Sequence, residues 1–324
     1  MADQSSAKHM TSSYGRKNMG GRITGWGSAL PEKILTNHDL AGMMDTSDEW
    51  IRERTGIHER HVGGSTAGLA ADACRKAMER AGCTAADIDL LILATTTPDQ
   101  QVPGSSATVQ EDLGLRCGAF DINAACSGFV YSLVTAHAFV NTGLSRVLVV
   151  GSDTLSRFTD WTDRGTAILF ADGAGAVVVE ASEEKTLLGW NLGADGSARR
   201  ILDCDIGGLI HMDGREVFRR AVRAMVNSAE HALADAGVEG RDISWLLPHQ
   251  ANIRIIESAA DKLGIPMERT VNVMRYTGNT SAASIPLALD AAASDGRIEP
   301  GDLLLLSGFG AGMTWASAVL RWRP

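Results

Sequence analysis

Of the five cysteines in the 324-residue chain, Cys126 is the one whose surroundings could put a thiol to work. It stands in Asn123-Ala124-Ala125-Cys126-Ser127-Gly128-Phe129, between a strand-like stretch at 119–122 and a helical pattern over 129–140. A cysteine in the first turn of a helix meets the positive end of the dipole and unpaired amides, which favour the thiolate. Taken alone it is equally a small buried hydrophobe. Cys74 on a helix face, Cys83 and Cys117 near element ends and Cys204 in a loop lack that context. No CxxC pair and no Cys/His cluster at zinc spacing occurs, so neither a metal site nor a disulfide framework is expected, and a reducing compartment is.

His249 follows Pro248 directly after Leu246-Leu247, at the end of an apolar strand. Ends of parallel strands are where open α/β sheets place their ligands, and a histidine there can donate a hydrogen bond or exchange a proton near neutral pH. Asn279, in Tyr276-Thr277-Gly278-Asn279-Thr280-Ser281, could donate its amide N–H to a developing oxyanion. An asparagine after glycine is also an ordinary turn residue. The run Gly308-Phe309-Gly310-Ala311-Gly312 is thin enough to bring backbone N–H groups close to a reacting carbonyl.

The elements that must position these residues are legible as α/β. Apolar runs at 90–93, 147–150, 176–179, 245–247, 303–306 and 316–322 read as strands covered on both faces. Phe218, Ala221, Val222, Met225, Ala229, Ala232, Leu233 and Ala236 are spaced by three and four and stop at Gly237, as a helix with a glycine C-cap does. Self-similarity says more. An Ala-rich helix, Ala81-Gly82, Asp87-Ile88 and an apolar strand recur as a second helix, Ala236-Gly237, Asp242-Ile243 and another strand. The same offset sets 147–150 near 303–306, and Cys126 beside Ser281. The chain therefore reads as two copies of one unit, 22–189 and 190–324, behind a polar leader over 1–21 that is disordered or artificially attached.

Composition narrows the function. Thirty Lys and Arg against thirty-nine Asp and Glu give a net charge of -9, so the footprint of a general nucleic-acid binder is missing. No apolar run approaches the ~18 residues of a membrane span, and the N-terminus lacks a signal-peptide core. A cytoplasmic protein is expected.

Together these segments resemble β-ketoacyl-acyl-carrier-protein synthase III, an initiating condensing enzyme of the thiolase superfamily, over about 22–324. The resemblance rests on Asp45-Thr46-Ser47-Asp48-Glu49-Trp50-Ile51 with Arg54-Thr55-Gly56-Ile57, Ala124 to Phe129, Thr162-Asp163-Arg164-Gly165 and Phe170 to Ala176. It continues through Pro248-His249-Gln250-Ala251-Asn252, Thr277 to Pro286 and Gly308 to Gly312. It implies two βαβαβαββ halves packed as a five-layered αβαβα sandwich. It also implies that Cys126 takes the acyl group of an acyl-CoA, its oxyanion held by the amides of Cys126 and Ala311. His249 and Asn279 would then stabilise the enolate formed as malonyl-acyl-carrier protein loses CO2. A thiolase would use a second cysteine as base, and no cysteine follows Cys204.

The resemblance further implies that Trp50 and Arg164 sandwich the CoA adenine, helped by Arg54 and Thr46, with Asn252 and Gly214 along the pantetheine channel. Arg219, Arg254 and Lys262 would dock the acidic carrier protein, within a basic group that includes Arg215, Arg220 and Arg223. Val102 would reach across a homodimer to floor the partner's acyl pocket, with Phe309 on the same pocket. A valine there leaves room for branched or medium primers. No metal and no cofactor is implied, since acyl-CoA is a substrate. The stretch 192–212 looks shorter than in relatives. Polyketide priming, transfer of the acyl group to a non-malonyl acceptor and a silent scaffold are the competing readings.

Overall fold

A computed structural model describes residues 20–324. The expected leader lies outside the described residues except for its last two positions, and there the expectation fails. Gly20 and Gly21 open the first strand, Gly20–Ala29, by pairing with Ser182 and Ala181, and an added Cβ at Gly20 would lie 2.6 Å from the Glu184 carbonyl oxygen.

Two mixed sheets form the frame. The first runs in the order Gly20–Ala29, Asp172–Ser182, Arg146–Thr154, Leu90–Ala94, Gly118–Ile122, the last three mutually parallel and the first two antiparallel to their neighbours. The second runs Trp245–Pro248, Leu303–Gly310, Thr314–Arg321, Leu187–Ala194, with its first pair parallel and the others antiparallel. Read backwards, the second order is the first without its fifth strand. Where a fifth strand would lie beside Trp245–Pro248, Thr270 makes only one isolated bridge to Leu246.

Helices Gly128–Asn141 and Ser284–Ser294 lie between the sheets. Thr66–Ala81 and Ser105–Asp112 cover the outer face of the first, and Gly214–Ala236 with Ile253–Lys262 that of the second. The result is the expected αβαβα sandwich. Leu90–Ala94 is buried at every residue, which is why its sequence is apolar without alternation.

Two details of the expected division change. A break at 189/190 would cut the strand Leu187–Ala194, which pairs only in the second sheet, so the halves part between Ser182 and Leu187. The repeat offset also drifts. Leu90 and Trp245 are 155 apart, while their parallel partners Val147 and Leu304 are 157 apart. At the turns Ala125–Ser127 and Ser281–Ala283 the offset is 156, and the two left-handed residues are Ala125 (φ 46°) and Ser281 (φ 51°). Ser281 is thus the counterpart of Ala125, not of Cys126.

Candidate active site

Both turns sit where the halves meet. Cys126 occupies the middle of the 3-10 turn that feeds Gly128–Asn141, as its sequence context predicts. That turn is pinned from the other half. Thr314 Oγ1 donates to the Ala124 carbonyl at 2.8 Å, and the Ser127 hydroxyl donates to Thr314 Oγ1 at 2.9 Å. Gly310 packs directly on it: an added Cβ would lie 2.5 Å from Cys126 N. The glycine loop therefore borders the nucleophile's amide, with Ala311 next in the chain.

The expected bias toward thiolate does not prevail in the folded chain. Burial pushes the Cys126 thiol up to about 12, opposed by the Ser281 hydroxyl and reinforced by the negative charge of Asp153. Desolvation of a sulfur anion outweighs one turn of helix dipole.

His249 leaves the end of Trp245–Pro248, its N–H donating to the Ser307 carbonyl at 2.8 Å. Nδ1 lies 2.7 Å from Ser284 Oγ, and Phe309 meets the ring edge-on at 5.5 Å between centroids. Burial pushes the imidazole down to about 3, so it is neutral at physiological pH. In the tautomer where Nδ1 accepts from Ser284, Nε2 carries the proton and is a donor. Asn279 is anchored by backbone bonds, its N–H to Leu169 O and its carbonyl from Ala171 N, both 2.9 Å. Its Oδ1 accepts from Ser281 N at 3.0 Å, which leaves the amide NH2 for the cavity.

A cavity of about 600 Å³ joins these groups to the surface, lined by Cys126, His249, Asn279 and Phe309 at its floor and by Trp50, Arg54, Gly214, Asn252 and Arg254 further out. The helix Asp48–Thr55 forms one wall because Ser47 caps it, accepting from Trp50 N, and Gly56 ends it at φ 79°. Trp50 and Arg54 are one turn apart on it. The Arg54 and Arg164 guanidinium carbons lie 4.6 and 4.7 Å from the Trp50 ring centroid. The expected slot between Trp50 and Arg164 is therefore closed: Arg164, donating to the Asp45 carbonyl at 2.9 Å, already covers the ring. Thr46 is off the cavity, its hydroxyl buried without a partner. Asn252 caps the helix Ile253–Lys262 through Arg254 N and donates to the Arg54 carbonyl at 2.9 Å, so it couples two walls.

The docking residues divide. Arg254 and Arg215 line the cavity, while Arg219, Arg220, Arg223 and Lys262 line a neighbouring cleft. Glu216 holds both Arg219 and Arg220 at 2.7 Å, and those two guanidiniums hold its carboxyl down at about 2. Their charge is partly spent within the protein. Val102 is 83% exposed and lies off its own chain's cavity. The 192–212 stretch includes a 3-10 turn, Gly196–Ile201, and a ribbon of Leu202–Asp203 with His211–Met212 whose Leu202 and Met212 line the cavity.

Several supporting residues escape a motif reading. Gln250 is fully buried, donates to Pro248 O and Val271 O and accepts from Val273 N and Met274 N, tying the His249 strand to the segment that leads to Asn279. Its adjacency to His249 was the one available signal. Ser284 lay within the motif stretch Thr277 to Pro286 without a role of its own, and Thr314 gave no signal.

Family patterns described as 3-oxoacyl-[acyl-carrier-protein] synthase III match residues 120–196 and, for its C-terminal part, 233–322. A β-ketoacyl-[acyl-carrier-protein] synthase III from Thioalkalivibrio sulfidiphilus is 52% identical over 93% of this chain and 99% of its own. The chain belongs to this family. Among solved structures, a family member from Aquifex aeolicus superimposes with TM-score 0.92 at 45% identity over 94% of this chain and all of its own. A priming β-ketosynthase of the R1128 polyketide pathway follows at TM-score 0.90 and 36% identity, covering 93% of this chain and 96% of its own. In this chain Cys126, His249 and Asn279 line one cavity.

Proposed function

We propose that this chain initiates fatty-acid synthesis by condensing an acyl-CoA primer with malonyl-acyl-carrier protein. The observation that carries the reading is one cavity lined by a cysteine together with a neutral histidine and an asparagine amide, with Cys126 and His249 both packed on Gly308. Cys126 attacks the acyl thioester, and the oxyanion is held by the Cys126 and Ala311 amides beside Gly310. CoA leaves. Malonyl-acyl-carrier protein then enters, and His249 Nε2–H and the Asn279 amide donate to its thioester oxygen as CO2 departs. Neutral donors suit that step, since the charge that grows is on oxygen. The enolate carbon attacks the Cys126 thioester and releases the 3-oxoacyl product.

CoA is bound along the Trp50 wall, with Arg54 and Arg164 at the adenine end and Gly214 and Asn252 along the channel, and Thr46, buried off the cavity, takes no direct part. An adenine sharing the indole must first lift Arg164, which is exposed but must give up its hydrogen bond to the Asp45 carbonyl. Arg254 and Lys262 recruit the acidic carrier protein, with Arg219 secondary because Glu216 pairs with it. Val102 supports a homodimer in which each chain floors its partner's acyl pocket next to Phe309. Acyl-CoA and carrier-protein substrates and five free cysteines support a cytoplasmic setting. Among the described residues no helix is long and apolar enough to cross a membrane. Every step is assigned to a side chain or a backbone amide, with no cofactor and no metal called on. Relatives at half identity favour this reading over polyketide priming or transfer to another acceptor.

The test is intact-protein mass after mixing wild type and Cys126→Ala with acetyl-, isobutyryl- and octanoyl-CoA, followed by malonyl-acyl-carrier protein. A Cys126-dependent adduct should vanish as 3-oxoacyl-carrier protein appears. An adduct indifferent to the malonyl partner would refute the condensation.

A further inference from the structure

Arg60 is the largest side chain buried completely among the described residues, and no step of the reaction above uses it. It lies on the strand Glu59–His61, in register with Leu35 of the strand Ile34–Thr36. Among the described residues its guanidinium forms no ion pair. Nη1 donates to the Leu35 carbonyl at 3.0 Å, and Nη2 donates to Asn37 Oδ1 at 2.8 Å and to the Ile168 carbonyl at 3.1 Å. Nε is buried with no partner. A cation taken out of water and given only neutral acceptors is costly, so its retention calls for a reason beyond packing.

Two arms lead away from the fork. Arginine only donates, so the buried Asn37 presents Oδ1 to it and turns its NH2 to Asp48 Oδ1 and the Ile57 carbonyl, both at 2.9 Å. Asp48 opens the helix that carries Trp50 and Arg54, which gives the fork a fixed end. The second arm ends on Ile168, in the wall of the cavity. One residue on, the Leu169 carbonyl accepts Asn279 N, and Ala171 N donates to the Asn279 carbonyl. Gly278 fills the space between: at φ 69° an added Cβ would lie 3.0 Å from Arg60 Cβ and 2.8 Å from Ala171 Cβ. The backbone of Asn279 thus leans on the stem of Arg60 and hangs from the strip that the guanidinium holds.

We propose that Arg60 is a positioning residue for Asn279, bracing the strip 168–171 and Gly278 so that the Asn279 amide is aimed at the thioester oxygen during condensation. Arg60 touches neither substrate and moves no proton. Its leverage comes from how Asn279 is held. The side chain has one bond of its own, Oδ1 to Ser281 N, so the direction of its NH2 is inherited from backbone that the strip and Gly278 fix. Lysine at position 60 would keep the charge but not the fork, and could not serve acceptors on three separate segments from two terminal nitrogens. Shifting a hydrogen-bond donor by about 1 Å costs about 10²-fold in rate, so a slack strip is expected to show in the step that Asn279 serves and not in acylation.

The proposal rests on Asn279 serving the condensation step, and its test separates the two ideas. Wild type, Arg60→Lys, Arg60→Met, Asn279→Ala and the double variant Arg60→Lys with Asn279→Ala are acylated with acetyl-CoA, and the acylated fraction is counted by intact mass. Each is then mixed with malonyl-acyl-carrier protein, and 3-oxoacyl-carrier protein is followed per acylated Cys126. Both Arg60 variants should condense about tenfold to a hundredfold slower, while acylation at saturating acetyl-CoA and alkylation by iodoacetamide stay within about threefold of wild type. Because Arg60 acts through Asn279, the lysine change should slow the enzyme by less than about twofold more once Asn279 is alanine. If Arg60→Met does not fold, the lysine variant and its double carry the test. Condensation at the wild-type rate in every folded Arg60 variant, with Asn279→Ala impaired, would overturn the role of Arg60 and leave the proposed function standing. So would full additivity in the double variant, or a parallel loss of acylation, alkylation and condensation, the mark of a structural role. Wild-type condensation by Asn279→Ala would instead refute the part given to Asn279, and its positioning by Arg60 with it.

Discussion

Replacing Gly310 by alanine should disable acylation while leaving the fold and the thiol in place. Gly310 has extended backbone (φ -158°), so alanine adds no conformational strain; the penalty is purely steric. The new Cβ would lie 2.5 Å from Cys126 N and 2.9 Å from Ala125 Cβ. Ordinary contact begins at 3.4 Å, so the glycine loop and the nucleophile's turn must separate by about 0.9 Å, the difference of 3.4 and 2.5. That turn cannot retreat freely, since Thr314 and Ser127 hold it. Displacing one oxyanion donor by this much is expected to cost about 10²-fold, or roughly 3 kcal/mol of transition-state stabilisation. The assay is quenched-flow acylation with acetyl-CoA read by intact mass, with thermal denaturation and iodoacetamide alkylation as controls. Alkylation passes through no tetrahedral oxyanion and should change little. Acylation within twofold of wild type, or alkylation falling in proportion, would refute the assignment of this loop to the oxyanion hole.

Asn279→Ala should form acyl-Cys126 normally and lose condensation by about 10²–10³-fold, read as 3-oxoacyl-carrier-protein yield from pre-acylated enzyme. Trp50→Ala should raise the KM for acyl-CoA by about threefold to thirtyfold, the range of one cation–π contact, without slowing condensation by pre-acylated enzyme. Stability should fall with acid. His249 and His137 are buried with pKa values pushed down to about 3 and about 4, so below 6.5 the unfolded chain binds protons that the native chain refuses. Their contribution is complete above pH 6.5 and is lost as pH falls toward 4. Urea midpoints measured from pH 7.5 to 4.5 should show the drop, and His137→Phe should shrink it.

Much of the fold was legible because burial on both faces leaves a local mark. Strands such as Leu90–Ala94 have to be apolar throughout, and the duplicated grammar of helix, Ala-Gly, Asp-Ile and strand survives as text. The same text misled at its edges. It placed the division inside Leu187–Ala194, because that strand's partner, Thr314–Arg321, is more than a hundred residues away. It also aligned Cys126 with Ser281, because two insertions that shift the offset from 155 to 157 leave no local trace.

By itself the sequence determined which side chains could do chemistry: a cysteine before a helix, a histidine ending a strand, an asparagine in a turn and a glycine-rich loop. Each is a local arrangement of backbone and residue type, so each can be read locally. Only the tertiary structure decided their chemical state. It enclosed Cys126 so that desolvation overrides the helix dipole, neutralised His249 by the same means and laid Arg164 on Trp50. Ionisation depends on everything that packs around a group in three dimensions, and contacts brought together by two interlocking halves are not written next to the residue they control.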